Sequence, residues 1–265
     1  MTVSDVSYRG HESKLVRRVM AAKKKPSTAK KKLPTATKKS AAPKKAAPNV
    51  DAIVAPVWRS PDDDDTKAVV GDALLEAGSP WGELIGLQLK IAAKKATPAD
   101  KKLALTLAKR HHDIVGGAIA KVGSTTKRWI CEKGFLAECA VERRLVKRPD
   151  WEAAAASPYW ATVKRVSISF LVTPIWWMTE WAKNPATKSL RSIDISNFYL
   201  ERADAKSPWR VVKATSTSKT YGKYLAAFAK GLSPAEQKAL EIAPSIQPPK
   251  RKMLEEALAA AGIKR

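Results

Sequence analysis

A chain of 265 residues with 49 Lys/Arg against 25 Asp/Glu carries a net charge of +24, a field that opposes self-association at low salt and draws in polyanions. An apolar fraction of 45% with nine Trp excludes a chain that is disordered throughout, and only two cysteines, Cys131 and Cys139, exclude a disulfide-built secreted scaffold and fit a reducing, intracellular compartment. The longest uncharged stretch, Val166 to Thr179, contains Pro174 and falls short of the about 20 residues that a bilayer span needs, so no transmembrane segment is expected.

Residues 1–49 hold 14 Lys/Arg and 2 Asp/Glu, and the remaining residues hold 35 and 23, so each part has a net charge of +12. Arg17 and Arg18 lie in a short basic segment, Lys14 to Ala22, with no apolar h-region of a secretory signal around it. Basic clusters then recur at Lys23-Lys24-Lys25, Lys30-Lys31-Lys32, Lys38-Lys39 and Lys44-Lys45, spaced by Ala, Ser, Thr and Pro. Such a segment has too little apolar surface to offset its ordering entropy, and Pro26, Pro34, Pro43 and Pro48 break any long helix, so residues 1–49 are predicted to be a disordered cationic arm.

The body, residues 50–265, is predicted to open with three helices, each begun by a Ser or Thr followed by Pro, which supplies an N-cap and an N1 residue. Ser60-Pro61 precedes the acidic run Asp62 to Asp65 and the apolar stripe Val70, Ala73, Leu74 and Ala77, ended by Gly78. Ser79-Pro80 opens a helix facing inward through Trp81, Leu84, Leu87 and Ile91, and Thr97-Pro98 opens one through Leu103, Leu107, Ile114, Ala118 and Val122. Alternation over Val166 to Val172, with Ile193/Ile195 and Trp209 to Val212, predicts a small antiparallel sheet inserted at about residues 163–213. Ser233-Pro234 with Glu236 in capping-box position, and Lys252 to Ala261 closed by Gly262, predict helices at the C-terminal end. The class is α+β, helix-dominated, and no internal repeat is expected beyond the lysine clusters of the arm.

In composition the arm resembles the Lys/Ala/Pro tails of linker histones and of some bacterial histone-like proteins. That resemblance implies phosphate neutralisation with counterion release and no reading of bases. Basic arms of viral coat and nucleocapsid proteins have similar make-up, so packaging of a viral genome is the alternative, with localisation in nucleoid, nucleus or virion.

A second basic patch runs through Lys127, Arg128 and Trp129 to Arg143, Arg144, Lys147 and Arg148. A helix over Thr126 to Cys139 after a turn at Gly123-Ser124 makes this patch helix-turn-helix-like, with Lys127 and Arg128 near the N-terminus of the second helix; a solvated helical face is the plainer reading. His111, His112, Cys131 and Cys139 match no zinc spacing, so neither metal nor cofactor is expected. No GxSxG elbow or glycine-rich phosphate loop occurs, and no enzymatic activity is expected. Asp194 with Asp204-Ala205-Lys206 loosely resembles the acid–(D/E)xK arrangement of metal-dependent nucleases, and a polar turn explains the same residues more simply. Trp160, Trp176, Trp177 and Trp181 form an aromatic cluster; if its segment is a strand, Trp176 and Trp177 cannot both face inward, which points to a homo-oligomer interface ahead of base stacking. The expected function is therefore a non-enzymatic, sequence-tolerant nucleic-acid-binding structural protein that organises or packages a genome.

Overall fold

A computed structural model of the protein describes residues 49–124 and 128–263. Of the predicted arm only Asn49, the N-cap of α1, is among the described residues; its basic residues from Arg17 to Lys45, and Lys127, lie outside them.

Helices dominate the first part of the body, as the capping signals predict. They are α1 (Val50–Arg59), α2 (Asp64–Glu76), α3 (Pro80–Ala92), α4 (Pro98–Arg110), α5 (His112–Gly116) and α6 (Ile119–Val122). Thr97 and Asp100 close a reciprocal capping box at the start of α4, and Ser79 caps α3, each satisfying backbone N–H groups that a helix end leaves without partners. Two expectations shift here. Ser60 ends α1, while Asp63 caps α2. The long third helix is three pieces: α4 ends at its C-cap His111, and Gly117 ends α5 by turning the chain at φ +49°, where a Cβ would meet the Tyr159 ring at 2.7 Å.

The sheet is larger than expected, and it is mixed. Its order is β1-β2-β3-β4-β5-β6-β7, from β1 (Ile130–Glu132), β2 (Phe135–Val141), β3 (Arg165–Ile168), β4 (Ser192–Ile195), β5 (Phe198–Glu201), β6 (Arg210–Ala214) and β7 (Glu241–Ile242). The pairs β2–β3, β3–β4 and β6–β7 are parallel, and the other three are antiparallel. A parallel pair needs a crossover: α7 (Arg148–Ala155) and α8 (Ile175–Lys183) make the first two, each followed by a 3-10 turn, Pro158–Thr162 and Pro185–Ser189, and α9 (Lys219–Gly231) with α10 (Pro234–Ala239) makes the third. The segment Val166 to Val172, expected as a strand throughout, therefore leaves the sheet after Ile168 and enters α8 behind Pro174. After β7 comes α11 (Pro248–Ala260).

These crossovers repeat. Glu138 pairs with Arg165 and Arg165 with Ser192, a constant step of 27 residues. The same step relates α7 to α8 at their first residues, Arg148 and Ile175, and relates the two 3-10 turns at both ends. It also relates hydrogen bonds: the Thr162 hydroxyl donates to the carbonyls of Leu136 and Tyr159 at 3.0 and 3.3 Å, and the Ser189 hydroxyl to those of Val163 and Ala186 at 3.0 and 3.3 Å. Leu136, Cys139 and Val141 are matched by Val163, Val166 and Ile168, then by Leu190, Ile193 and Ile195. That is the apolar-x-x-apolar-x-apolar spacing of a strand-plus-helix solenoid coil. The chain thus holds two full coils and a third strand, contrary to the expectation of no repeat.

One row of side chains runs across the sheet through Cys139, Val166, Ile193, Leu200, Val211 and Ile242, paired in register, and every member is buried. At about 1.5–3 kcal/mol for each large aliphatic side chain removed from water, this row fixes which sheet face turns inward, since a slip of one residue would expose all of it. Arg202, just beyond β5, is buried as well. Its guanidinium donates to the carbonyls of Leu190 and Lys188, both at 2.9 Å, and lies 4.4 Å from the Trp209 ring. Burial pulls its pKa down to about 10, leaving it charged at neutral pH.

Candidate nucleic-acid interface

Where a helix is predicted over Thr126 to Cys139, the described residues from Ile130 on form the hairpin β1–β2. Lys133 and Gly134 both take positive φ, 51° and 87°, the pattern of a two-residue hairpin turn. The Trp81 indole N–H donates to the Gly134 carbonyl at 2.7 Å and the Gly134 N–H to Gln88 Oε1 at 2.7 Å, so the turn is fixed on α3. The helix-turn-helix reading is overturned, because the chain spends these backbone groups on strand pairing.

Arg128 precedes β1 and reaches across the sheet, donating from Nη1 to Asp194 Oδ2 on β4 at 3.1 Å. Next to it Arg165 pairs with Glu138 at 3.0 Å. These four side chains, with Ser167, Ser192 and Tyr199, line a polar depression of about 290 Å³ on the outward face of the sheet. Its charges cancel in pairs, so the face has no excess cation to offer a phosphate.

The other predicted cations fall elsewhere. Arg143, Arg144 and Lys147 lie in the loop from β2 to α7, and Arg148 opens α7; all four are exposed. Arg148 donates to Glu152 at 2.8 Å and holds its guanidinium 5.1 Å from the centre of the Trp176 ring. Arg143, Arg144 and Lys147 are not among the ion-paired cations of the described residues. The loop from β3 to α8 stands one repeat on, at the same edge of the sheet. Between them the two loops and the first residue of α8 expose Leu145, Leu171 and Ile175, the first with φ 59° and 102% exposure. This edge is cationic, with exposed apolar points among the charges.

The aromatic cluster divides. Trp160, Trp177 and Trp181 are 0% exposed. Trp177 stacks on Trp181 at 5.2 Å, Trp160 meets Trp181 edge-on at 5.4 Å, and the indoles of Trp160 and Trp177 donate to the carbonyls of Ala154 and Trp151 at 2.7 and 2.9 Å. These three are core, contrary to their placement at an interface, because α8 turns residues four apart to the same side. Trp176 alone of the four reaches the surface.

Asp204 lies in the turn after β5, where its carboxylate accepts the N–H groups of Lys206 and Ser207 at 2.8 Å and the Ser207 hydroxyl at 3.0 Å. These bonds, that from Lys206 first, hold its carboxyl below the usual carboxylate range. Asp194 is engaged by Arg128, as above. His111 ends α4, and His112 sets its ring edge-on to Trp129 at 6.1 Å. Among the described residues no three His, Cys, Asp or Glu side chains gather as a metal-holding group, and no helix is long and apolar enough to cross a membrane.

What sequence reasoning missed is the repeat and helices α1, α7, α8 and α9. Arg148-Pro149, Ser157-Pro158, Thr173-Pro174 and Asn184-Pro185 mark the starts of α7, α8 and both 3-10 turns, and of these pairs Ser157-Pro158 and Asn184-Pro185 stand 27 residues apart. The chain matches no protein-family model, no curated protein and no solved structure.

Proposed function

We propose that the protein is a non-enzymatic, sequence-tolerant nucleic-acid-binding protein that neutralises and organises or packages a genome through residues 1–49, in a reducing intracellular setting or a virion. The observation that carries this reading is the ratio of 14 Lys/Arg to 2 Asp/Glu in that segment. Charge at this density gains affinity by releasing condensed counterions from the nucleic acid. The loop cations Arg143, Arg144 and Lys147, without ion-pair partners among the described residues, support a secondary contact from the body. The exposed Leu145, Leu171 and Ile175 with Trp176 support self-association at the same edge.

The test is binding to duplex DNA, single-stranded DNA and RNA across a salt series, for the intact chain and for one with the twelve arm cations from Arg17 to Lys45 named above changed to Gln. With 6–10 phosphate contacts, the intact chain should lose about 10³–10⁵ in affinity between 50 and 200 mM salt. The Gln variant should lose most of both affinity and slope. An unchanged slope in that variant would defeat the proposal.

A further inference from the structure

A groove of about 530 Å³ lies between α8, α9 and α11, within the about 300–1,000 Å³ of ordinary binding sites. Three features make it a preformed trough. First, α8 and α11 both press closely on α9: a Cβ at Gly222 would meet Ala257 at 2.7 Å, and one at Gly231 would meet Ala182 at 2.6 Å. Second, the Thr179 hydroxyl donates to the Ala227 carbonyl at 2.8 Å, and the Tyr224 hydroxyl to the carbonyls of Thr173 and Phe170 at 2.6 and 2.9 Å, locking α8 and the loop before it to α9. Third, the residues between these clamps are small. Ala226 and Ala227 on α9 face Ala257, Ala260 and Ala261 in the C-terminal part of the chain, and Ile175 and Trp176 form the far wall.

The rim has one sign. Lys219, Lys223 and Lys230 stand along the groove on α9, all exposed and none among the ion-paired cations of the described residues. The single acid on the wall, Glu256, faces Lys252 at 4.0 Å. Lys219 to Lys230 covers about 16 Å of helix at 1.5 Å per residue, three turns of a second helix laid alongside. Residues 1–49, with their excess of Lys and Arg, have the wrong charge to occupy it.

We propose that this groove docks an acidic amphipathic helix of a partner protein, its apolar stripe at i, i+3/i+4 and i+7 resting on the alanine floor against Trp176 and its Asp or Glu residues meeting Lys219, Lys223 and Lys230. This is the helix-in-groove mode of recognition, with the lysine rim selecting against basic helices. The inference uses no residue of the arm and none of the loop cations, and so stands apart from the nucleic-acid reading, but it gives Ile175 and Trp176 to the partner helix and not to a second copy of the chain.

The probe is a peptide of about 15 residues, long enough for marginal helicity, with Leu at i, i+3, i+4 and i+7 and Glu in the intervening positions. Binding is measured by calorimetry on the full chain at about 0.15 M salt. A scramble of the same composition measures what the arm takes up by charge alone, and a third peptide carries Lys in place of Glu. The patterned acidic peptide should bind at least about tenfold more tightly than its scramble. Ala260→Trp, at an exposed position, should fill the groove and abolish that ratio. Lys219→Glu with Lys223→Glu and Lys230→Glu should shift the preference to the Lys-bearing peptide. Circular dichroism and thermal unfolding check that both variants stay folded. Equal binding of patterned and scrambled peptides, or a ratio that survives both variants, overturns the proposal. So does an oligothymidylate whose affinity falls in Ala260→Trp while the peptide ratio stays near one, which would assign the groove to stacked bases.

Discussion

Asn184 donates from Nδ2 to the carbonyl of Ser157 at 2.9 Å, and the two residues are counterparts one repeat apart. Each also caps its own 3-10 turn, Ser157 through Tyr159 N–H and Asn184 through Ala186 N–H. Asn184 does more, because its amide further donates to the Ala155 carbonyl at 2.8 Å and so ties the second coil to the first. Asn184→Ala removes a cap and two donors to backbone carbonyls, and should cost about 2–4 kcal/mol in urea unfolding. Asn184→Ser keeps the cap alone and should recover about 1 kcal/mol of that. If both variants unfold at the wild-type midpoint, the coils are not joined through this side chain.

Adjacent tryptophans should behave oppositely. Trp177 has no exposed surface and stacks on Trp181, so Trp177→Ala should cost about 3–5 kcal/mol. Trp176 reaches the surface beside Arg148, and Trp176→Ala should cost about 1 kcal/mol or less. Thermal unfolding of the two variants decides it, and equal losses would contradict the placement of α8.

The elements that were legible in the sequence are those with local signals. Thr97 and Asp100, and Ser233 and Glu236, make their capping boxes within four residues, so no distant contact is needed to read them. The repeat is different. Of the residues in Leu136–Thr162, only Ala155 and Pro158 find the same residue type 27 positions on, at Ala182 and Pro185. What the coils share is burial at Leu136/Val163/Leu190 and Cys139/Val166/Ile193, which several apolar residues satisfy equally, so identity is not needed to keep the geometry. Alternation across Val166 to Val172 also continues past the strand end at Ile168, and only Pro174 marks the change of period. For the candidate site, the exposed loop cations were legible as a charge cluster, whereas the pairing of Arg128 with Asp194 joins a residue just before β1 to one on β4, which only the sheet order brings together.

Both thiols should be slow to react in the folded protein. Burial pushes the Cys131 thiol up to about 12 and raises that of Cys139 as well, while the reactive species is the thiolate. At pH 8 Ellman's reagent should label the native chain far more slowly than the chain in denaturant, where two thiols react. Rapid labelling of Cys139 in native buffer would show that β2 is not held in the core.

Acid should weaken the fold only below the ordinary carboxylate range. Asp62 is held low first by its hydrogen bond from Lys164 at 2.6 Å, and Asp64 first by that from Lys133. A carboxylate whose folded pKa is depressed contributes stability that is present above the unfolded value, 3.8 here, and lost as pH falls through the folded one. Lys164→Met should therefore lower stability at pH 7 by no more than about 1 kcal/mol, the pair being largely exposed, and the gap from wild type should narrow at pH 2–3. A gap of equal size at both pH values would mean that Lys164 acts through packing and not through Asp62.

The loop cations are best judged through the salt dependence of binding, because a uniform phosphate contact and a base contact leave different traces there. Arg143, Arg144 and Lys147 are exposed on one loop and free of ion pairs among the described residues, so changing all three to Ala removes charge without disturbing a packed side chain. If each touches one duplex phosphate, the slope of log K against log salt should fall by about 0.9 per residue, near 2.7 in all. The loss should be the same on unrelated sequences, since phosphates carry no sequence information. An unchanged slope would confine nucleic-acid contact to the arm, whereas a loss confined to one sequence would mean that this edge of the sheet reads bases.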